Sequence, residues 1–232
     1  MQDDGTRSPT ALGKTDGSPL DRSETDAVRH RYDRIAPIYD AMEWLAEFRF
    51  SRWRADIWSR VEGDTILELG VGTGKNMPYY PDQRAITGID IAPQMLERAR
   101  RRAEREQIDT ELLEADAQDL PFDDDSFESV VCTFVFCSVP DPVRGLREAR
   151  RVLVPNGQLI MLEHVLSHIP ALGTLMKWFD WLPSHVWGAH IDRQTVDNVR
   201  KAGFEEVEEN DLFLDIVKRI EARAPAEPAR LR

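Results

Sequence analysis

The chain has little cysteine, little lysine and no long apolar run. None of its apolar runs approaches the ~18–20 residues that a membrane-spanning helix requires. Its two cysteines, Cys132 and Cys137, lie on one expected strand and five positions apart, so they should point to opposite faces and cannot pair. The sequence therefore offers no disulfide framework and no sign of a metal site, and a reducing cytoplasm is the expected location.

Lysine is scarce because arginine takes its place: only five of the 30 basic residues are lysines. The 42 acidic residues outnumber the basic ones, and the net charge is −12. A general nucleic-acid-binding protein presents a basic surface, so this balance argues against a nucleic-acid partner. A basic cluster from Arg98 to Arg105 alternates with glutamates and is expected to form the solvated face of a helix.

The organisation of the chain follows from its composition. Residues 1–24 are polar and rich in Asp, Gly, Ser, Thr and Pro, which predicts a disordered tail without a signal peptide. With 41% hydrophobic residues in a 232-residue chain, one sizeable core can form. We expect one domain over residues 25–220, made of a helical cap (25–60), a nucleotide-binding core (61–165) and an insertion (167–190), and then a flexible tail (221–232).

Short apolar segments alternate with helical ones along the core, which predicts an α/β fold. Each connection is long enough for a helix, so the strands should form a mostly parallel sheet of seven strands with helices on both faces. Expected strands lie near 65–69, 85–90, 110–115, 128–137, 157–164, 205–209 and 213–219, with a helix over 193–202 that ends at Gly203. The nearly continuous apolar run after Glu128 is typical of the sheet centre.

The most informative segment is an apolar strand that ends in a glycine-rich turn, Ile66 to Gly74. A dinucleotide fingerprint needs G-x-G-x-x-G, but these glycines run G-x-G-x-G, with Lys75 where the third dinucleotide glycine would stand. A P-loop is excluded because no G-K-[ST] follows. The turn can bend sharply at glycines that take positive φ. Because Glu68 comes just before it, the turn suits a ligand with a cationic amino-acid end rather than a pyrophosphate.

The same segment, E-x-G-x-G-x-G, resembles motif I of the class I S-adenosylmethionine (SAM) methyltransferases. Two further acids, Asp90 and Asp116, follow the second and third expected strands. An acid at the position of Asp90 can accept two hydrogen bonds from ribose hydroxyls, or it can cap the helix expected from Pro93. In the methyltransferases, an Asp at the position of Asp116 meets the adenine amino group.

The resemblance implies a Rossmann-like fold, SAM as the cofactor and a set of residues that hold it. These cofactor-binding residues are Tyr39, Glu68, Gly70, Gly72, Gly74, Asp90, Met95, Asp116 and Ala117. Residues 32–40 look like the Y-D-x-x-A-x-x-Y-D segment of quinone and phospholipid methyltransferases, in which a tyrosine covers the SAM site. Tyr39 or Tyr32 takes that role here.

The acceptor has several candidates. Residues 131–139 with Glu163-His164-Val165 are similar to membrane-associated thiol methyltransferases, whereas the G-L-R-N segment of quinone C-methylating enzymes is missing. The glycine loop with Pro78-Tyr79-Tyr80 is similar to bacterial phosphatidylethanolamine N-methyltransferases. The resemblance implies a lipid or amphiphilic small-molecule acceptor. An aminophospholipid head group is preferred to a thiol or a quinone, and a SAM-binding protein without turnover is the least favoured alternative.

Tryptophan placement and histidines give the remaining site expectations. All six tryptophans lie outside residues 61–165, three in the expected cap and three in the expected insertion. They either pack cap against core, or form an acceptor pocket or a lid that contacts the inner face of a membrane peripherally. His164 and His190 are the candidate catalytic bases, because histidine titrates near neutral pH, although each can be structural. Asp141 is expected to start a helix.

Overall fold

The computed structural model describes residues 22–164, 195–213 and 216–226, without the side chains of residues 37–49 and of His164. The helices are α1 (Arg22–Trp58), α2 (Pro93–Glu106), α3 (Pro142–Val152) and α4 (Thr195–Lys201), with a short 3₁₀ helix at Met77–Tyr79. The strands are β1 (Thr65–Leu69), β2 (Ala85–Asp90), β3 (Glu111–Glu114), β4 (Phe127–Thr133), β5 (Leu153–His164), β6 (Glu205–Phe213) and β7 (Val217–Arg223). Within these ranges, no helix is both long enough and apolar enough to cross a bilayer.

The seven strands form one sheet in the order β3-β2-β1-β4-β5-β7-β6. The first five strands of the chain run parallel, and the β6–β7 hairpin joins β5 with antiparallel pairing. The expected mostly parallel, seven-stranded Rossmann-like sheet is therefore confirmed. The strand order reverses between β1 and β4, and ligands of open α/β sheets bind beside the carboxyl ends of strands at such a point.

Apolar side chains cover both faces of the sheet because successive residues of a strand point to opposite sides. One face packs against α3 and α4, through Leu146, Ala149 and Val199 among others. The other face packs against the end of α1, through Ile57 and Trp58. The sheet therefore lies between two helical layers, and the carboxyl ends of its strands remain at one edge.

The expected fourth strand was too long. Its apolar run predicted a strand through Cys137, but β4 ends at Thr133 and Phe134 has a φ of 57°. Glu163 of β5 accepts hydrogen bonds from the backbone N–H groups of Val135 and Phe136, both at 2.9 Å, and these bonds turn the chain out of the sheet. The placement of both cysteines on one strand was therefore wrong: Cys132 lies in β4 and Cys137 in the following turn, both buried.

The C-terminal helix matches the expected one and the strand expected over 205–209 is longer than predicted, whereas the strand expected over 213–219 was misplaced, because Phe213 ends β6 and β7 begins at Val217. Helix α4 ends before Gly203, which has a φ of 87°. Strand β6 continues to Phe213 and β7 to Arg223, so the domain boundary expected at residue 220 falls inside β7. Four of the seven residues of β7 are charged, and Lys218 pairs with Glu209 and Asp211 of β6 at 3.0 and 2.8 Å. These cross-strand ion pairs link β7 to β6 through Lys218.

Candidate cofactor and active site

A cavity lies beside the carboxyl ends of β1, β2, β3 and β4, under the first turns of α1. Its volume is about 770 Å³ with the open mouth included. It occupies the point of strand-order reversal, where the fold places ligands.

Six of the nine expected cofactor residues line this cavity: Gly70, Gly72, Asp90, Met95, Asp116 and Ala117. The side chain of Tyr39 lies outside the described part of the chain. The alternative tyrosine, Tyr32, lines the cavity, and its hydroxyl is 2.7 Å from the Oγ of Ser138. The structure thus brings together side chains from α1 and from the ends of three strands.

The glycine turn after β1 has the conformation that its sequence predicts. Gly70 and Gly72 have φ angles of 67° and 56°, which lie in the left-handed region. A Cβ at Gly70 would lie 2.6 Å from a methyl carbon of Val135, whereas a Cβ at Gly72 would meet nothing within 4 Å. Gly74 does not line the cavity, and a Cβ there would lie 2.7 Å from the sulfur of Met77. In this structure Gly74 allows close packing instead.

Asp90 links the glycine turn to the second strand. Its carboxylate accepts hydrogen bonds from the backbone N–H groups of Gly72 and Ala92, both at 2.9 Å. Burial raises its pKa to about 6, although the backbone hydrogen bonds oppose this shift. Each carboxylate oxygen can accept a second hydrogen bond, so Asp90 retains capacity for two hydroxyl donors in the cavity.

Asp116 lies across the cavity from the glycine turn, after β3. Its Oδ1 accepts a hydrogen bond from the backbone N–H of Gln118 at 2.9 Å, and the side-chain amide of Gln118 donates to the carboxylate as well. The hydroxyl of Thr25, in the first turn of α1, lies 3.4 Å from Oδ2. These contacts fix the carboxylate at the cavity rim, where it can accept a hydrogen bond from an exocyclic amine.

The structure does not bring Glu68 to the cavity. This carboxylate is buried, and it accepts hydrogen bonds from the side-chain amide of Asn76 at 2.7 Å and from the hydroxyl of Tyr80. Burial raises its pKa to about 6, while the bonds from Tyr80 and Asn76 lower it. The direct contact expected between Glu68 and a cationic ligand end is therefore not supported by this geometry. The sequence pattern did not reveal the two internal donors.

The histidines expected as bases cannot be placed at the reacting atoms. His164 is the last residue of β5, where its backbone pairs with Val217, but its side chain is outside the described part of the structure. His190 lies outside the described residues. Asp141, in contrast, caps α3 as expected, because its side chain accepts a hydrogen bond from the N–H of Arg144 at 3.0 Å.

Several cavity-wall residues were missed by the sequence analysis. Thr133, the last residue of β4, lines the cavity, and so do Phe134 and Ser138 in the turn that follows. The apolar pattern placed Phe134 inside the expected strand, whereas the hydrogen bonds that Glu163 accepts from Val135 and Phe136 show that the chain turns there. Glu163, the residue that turns the chain, lies in the motif Glu163-His164-Val165. The sequence analysis assigned a function to His164 of this motif and none to Glu163.

The cavity wall fits SAM. The glycine turn exposes backbone at Gly72, Asp90 can accept hydrogen bonds from ribose hydroxyls, and Asp116 can accept one from the adenine amine. Met95 adds an apolar surface against which a base can pack. This fold, with this order of turn and acids, defines a class I SAM-dependent methyltransferase.

Comparisons with known proteins support the same class. Residues 67–161 match the family described as "Methyltransferase domain". A phosphatidylethanolamine N-methyltransferase from Cereibacter sphaeroides is 38% identical over 144 residues, which are 61% of this chain and 70% of that protein. A demethylmenaquinone methyltransferase from Thermus thermophilus is 38% identical over 140 residues, or 57% of this chain. The match spans 63% of the Thermus protein, less than two thirds of its length.

A solved structure is also similar in fold. Phosphoethanolamine N-methyltransferase 2 from Haemonchus contortus, in complex with S-adenosyl-L-methionine, has a TM-score of 0.68 at 16% identity. The similarity covers 85% of this chain and 60% of that one. The chain belongs to the methyltransferase domain family, and it is a SAM-dependent methyltransferase.

Proposed function

We propose that this methyltransferase acts on a lipid or other amphiphilic small molecule, with an aminophospholipid head group such as that of phosphatidylethanolamine as its acceptor. One observation carries the proposal: a row of aromatic rings leads from the cavity wall to the surface. Phe134 lines the cavity, and its ring centroid is 5.1 Å from that of Phe50. Trp53 follows at 5.6 Å and Phe213 at 6.4 Å, where Phe213 is 38% exposed.

The row, defined by Phe134, Phe50, Trp53 and Phe213, suits both parts of an amphiphile. Aromatic faces attract a methylated ammonium group through their negative charge density. They also provide apolar area for a hydrocarbon chain. Phe134 has a φ of 57°, a conformation that bulky residues rarely adopt and that concentrates at functional sites. The reacting amine would lie at Phe134, with the apolar remainder along the row.

The comparisons support two acceptor classes. The Cereibacter relative is named for phosphatidylethanolamine, which favours N-methylation of an aminophospholipid. The Thermus relative is named for demethylmenaquinone, which makes C-methylation of a quinol the second candidate. The motif similarity to thiol methyltransferases keeps a thiol as an alternative to be tested.

Bound SAM supplies a methyl group already activated on a sulfonium. The residues of this chain then have to align the acceptor lone pair with the methyl–sulfur bond and exclude water, because positioning supplies much of the rate enhancement. An amine acceptor must also lose a proton, and we propose His164 or His190 as its base. A lipid acceptor also implies peripheral contact with the inner face of a membrane.

The test is release of S-adenosylhomocysteine by the purified protein with vesicles that contain phosphatidylethanolamine, with small thiols and with a demethylated quinol. Each acceptor is assayed at low and high salt, with Asp90→Ala as the cofactor-site control. Release with the vesicles alone supports the proposal. Release with thiols alone or with the quinol alone moves the acceptor to that class. SAM binding without release from any acceptor contradicts the acceptor proposal and leaves the family assignment intact.

A further inference from the structure

A buried hydrogen-bond network lies behind the glycine turn and joins α1, β1 and β4. Arg54, near the end of α1, donates from Nη1 to the side-chain oxygen of Asn76 at 2.9 Å. The amide nitrogen of Asn76 donates to Glu68 at 2.7 Å and to the hydroxyl oxygen of Thr133 at 3.0 Å. The hydroxyl of Tyr80 donates to the second carboxylate oxygen of Glu68. Asn76 is therefore the residue at which three elements meet.

The network is almost completely removed from water. Arg54, Asn76 and Glu68 are 6%, 2% and 1% exposed. Loss of one partner in such a place leaves a buried polar group without a hydrogen bond, which costs free energy. The positive charge of Arg54 also lowers the pKa of Glu68, which burial raises. The side-chain amide of Asn76 connects the two charges.

The same arginine reaches the wall of the cavity by a second contact. Its guanidinium carbon lies 5.9 Å from the ring centroid of Phe134, within the range of a cation–π interaction. Thr133 and Phe134 both line the cavity, whereas Arg54 and Asn76 do not. Arg54 is thus linked to the segment that follows the glycine turn, through its hydrogen bond to Asn76. It is also linked to the turn after β4, through its contact with Phe134.

We infer that Arg54 is a positioning residue for methyl transfer, which acts through Asn76 to hold the glycine turn after β1 and the turn after β4 at a fixed separation. The cofactor and the acceptor lie against these two turns, so their spacing determines whether the methyl group is in line with the acceptor. The part about the acceptor rests on the proposed function. The part about the cofactor can be measured without any acceptor.

The test is a double-mutant cycle on SAM affinity, with Arg54→Met, Asn76→Ala and the double variant, each measured by calorimetry. We expect each single variant to weaken SAM binding about 10-fold and the double variant to be no more than about 2-fold weaker than the weaker single one, because residues that act as one unit are not additive. Arg60→Met is the matched control, because it removes an arginine just beyond the end of α1 that pairs with Asp56 at the exposed surface and not with the buried network.

Arg54→Lys separates positioning from folding. Lysine keeps the charge but lacks the planar guanidinium that bonds to Asn76 and lies near the Phe134 ring, so we expect normal thermal unfolding with SAM affinity between those of the wild type and Arg54→Met. With an active acceptor, kcat should fall more than the acceptor KM rises. Wild-type SAM affinity in both Arg54 variants would overturn the inference, as would additive losses in the double variant. If Arg54→Met does not fold, unchanged affinity in Arg54→Lys alone overturns it.

Discussion

The Asp90 side chain has two functions. It holds the glycine turn by accepting a hydrogen bond from the N–H of Gly72, and its carboxylate can accept further hydrogen bonds from a ligand in the cavity. We predict that Asp90→Ala weakens SAM binding by roughly 10- to 100-fold, because each hydrogen bond to a charged group contributes about 1.5–3 kcal/mol. Calorimetric titration measures this directly. Asp82→Ala, an exposed acid in the turn before β2, is the control. Unchanged affinity in Asp90→Ala would refute the ribose role.

The raised pKa of Asp90, about 6, predicts a pH dependence of SAM binding. Ribose hydroxyls donate to the ionised carboxylate, so binding should be full above this pKa and weaken as the pH falls through about 6. Titrations from neutral pH down to about pH 5 check this, within the range where the protein stays folded. Asp90→Asn should bind weakly with a flatter profile. A wild-type profile as flat as that of the variant would show that Asp90 does not titrate against the ligand.

The two glycines of the turn differ in what surrounds them, and this difference is testable. Gly72→Ala should cost about 1–2 kcal/mol of unfolding free energy, the strain of a left-handed residue, because its Cβ meets open space. Gly70→Ala should cost more, since its Cβ would also lie 2.6 Å from Val135. Denaturant titration compares the two, and Val135→Ala should recover part of the loss in Gly70→Ala. Equal losses in both glycine variants would contradict this account.

At the scale of elements, the sequence predicted what is encoded locally. Strand β1 and its turn were found because an apolar segment meets three spaced glycines, and β2 because an apolar segment ends at Asp90. The end of β4 was missed because the acceptor that turns the chain there, the Oε1 atom of Glu163, comes from β5. The internal partners of Glu68 were missed for the same reason, since a motif specifies a residue type and not its hydrogen bonds.

The turn after β4 gives a prediction for Glu163. Glu163→Ala should lower the unfolding free energy by about 3 kcal/mol, because two backbone donors in the turn lose a charged acceptor. Glu163→Gln retains one carbonyl oxygen in the same place and should keep most of the stability. Thermal or denaturant unfolding distinguishes them. A loss in Glu163→Ala no larger than that in Glu163→Gln would indicate that the turn after β4 is held by other contacts.

At the scale of the whole molecule, the sheet could be predicted and the acceptor could not. Parallel strands joined by right-handed helical connections, with a hairpin at the end of the chain, allow only a few topologies. The aromatic row needs Phe134 from the turn after β4, Phe50 and Trp53 from α1, and Phe213 from β6. These residues are far apart in the chain, and no local pattern indicates that they are neighbours.

The charge of the chain predicts which vesicles it contacts. A net charge of −12 repels an anionic surface, so we expect weaker co-sedimentation with anionic vesicles than with neutral phosphatidylethanolamine vesicles at low salt. The difference should shrink at high salt, because the screening length falls from about 10 Å at ~0.1 M to about 3 Å at ~1 M. Stronger binding to anionic vesicles at low salt would show that a local basic patch, not the net charge, controls the contact.

The measurement that tests the central claim most directly is the fate of an isotope-labelled SAM methyl group. The purified protein is incubated with labelled SAM and phosphatidylethanolamine vesicles, and the lipid is analysed by mass spectrometry and magnetic resonance. The account predicts the label on the head-group nitrogen, with Asp90→Ala strongly reduced. The absence of label from the head-group nitrogen, with label transferred to a thiol or to a quinol carbon in parallel incubations with those acceptors, would contradict the aminophospholipid proposal.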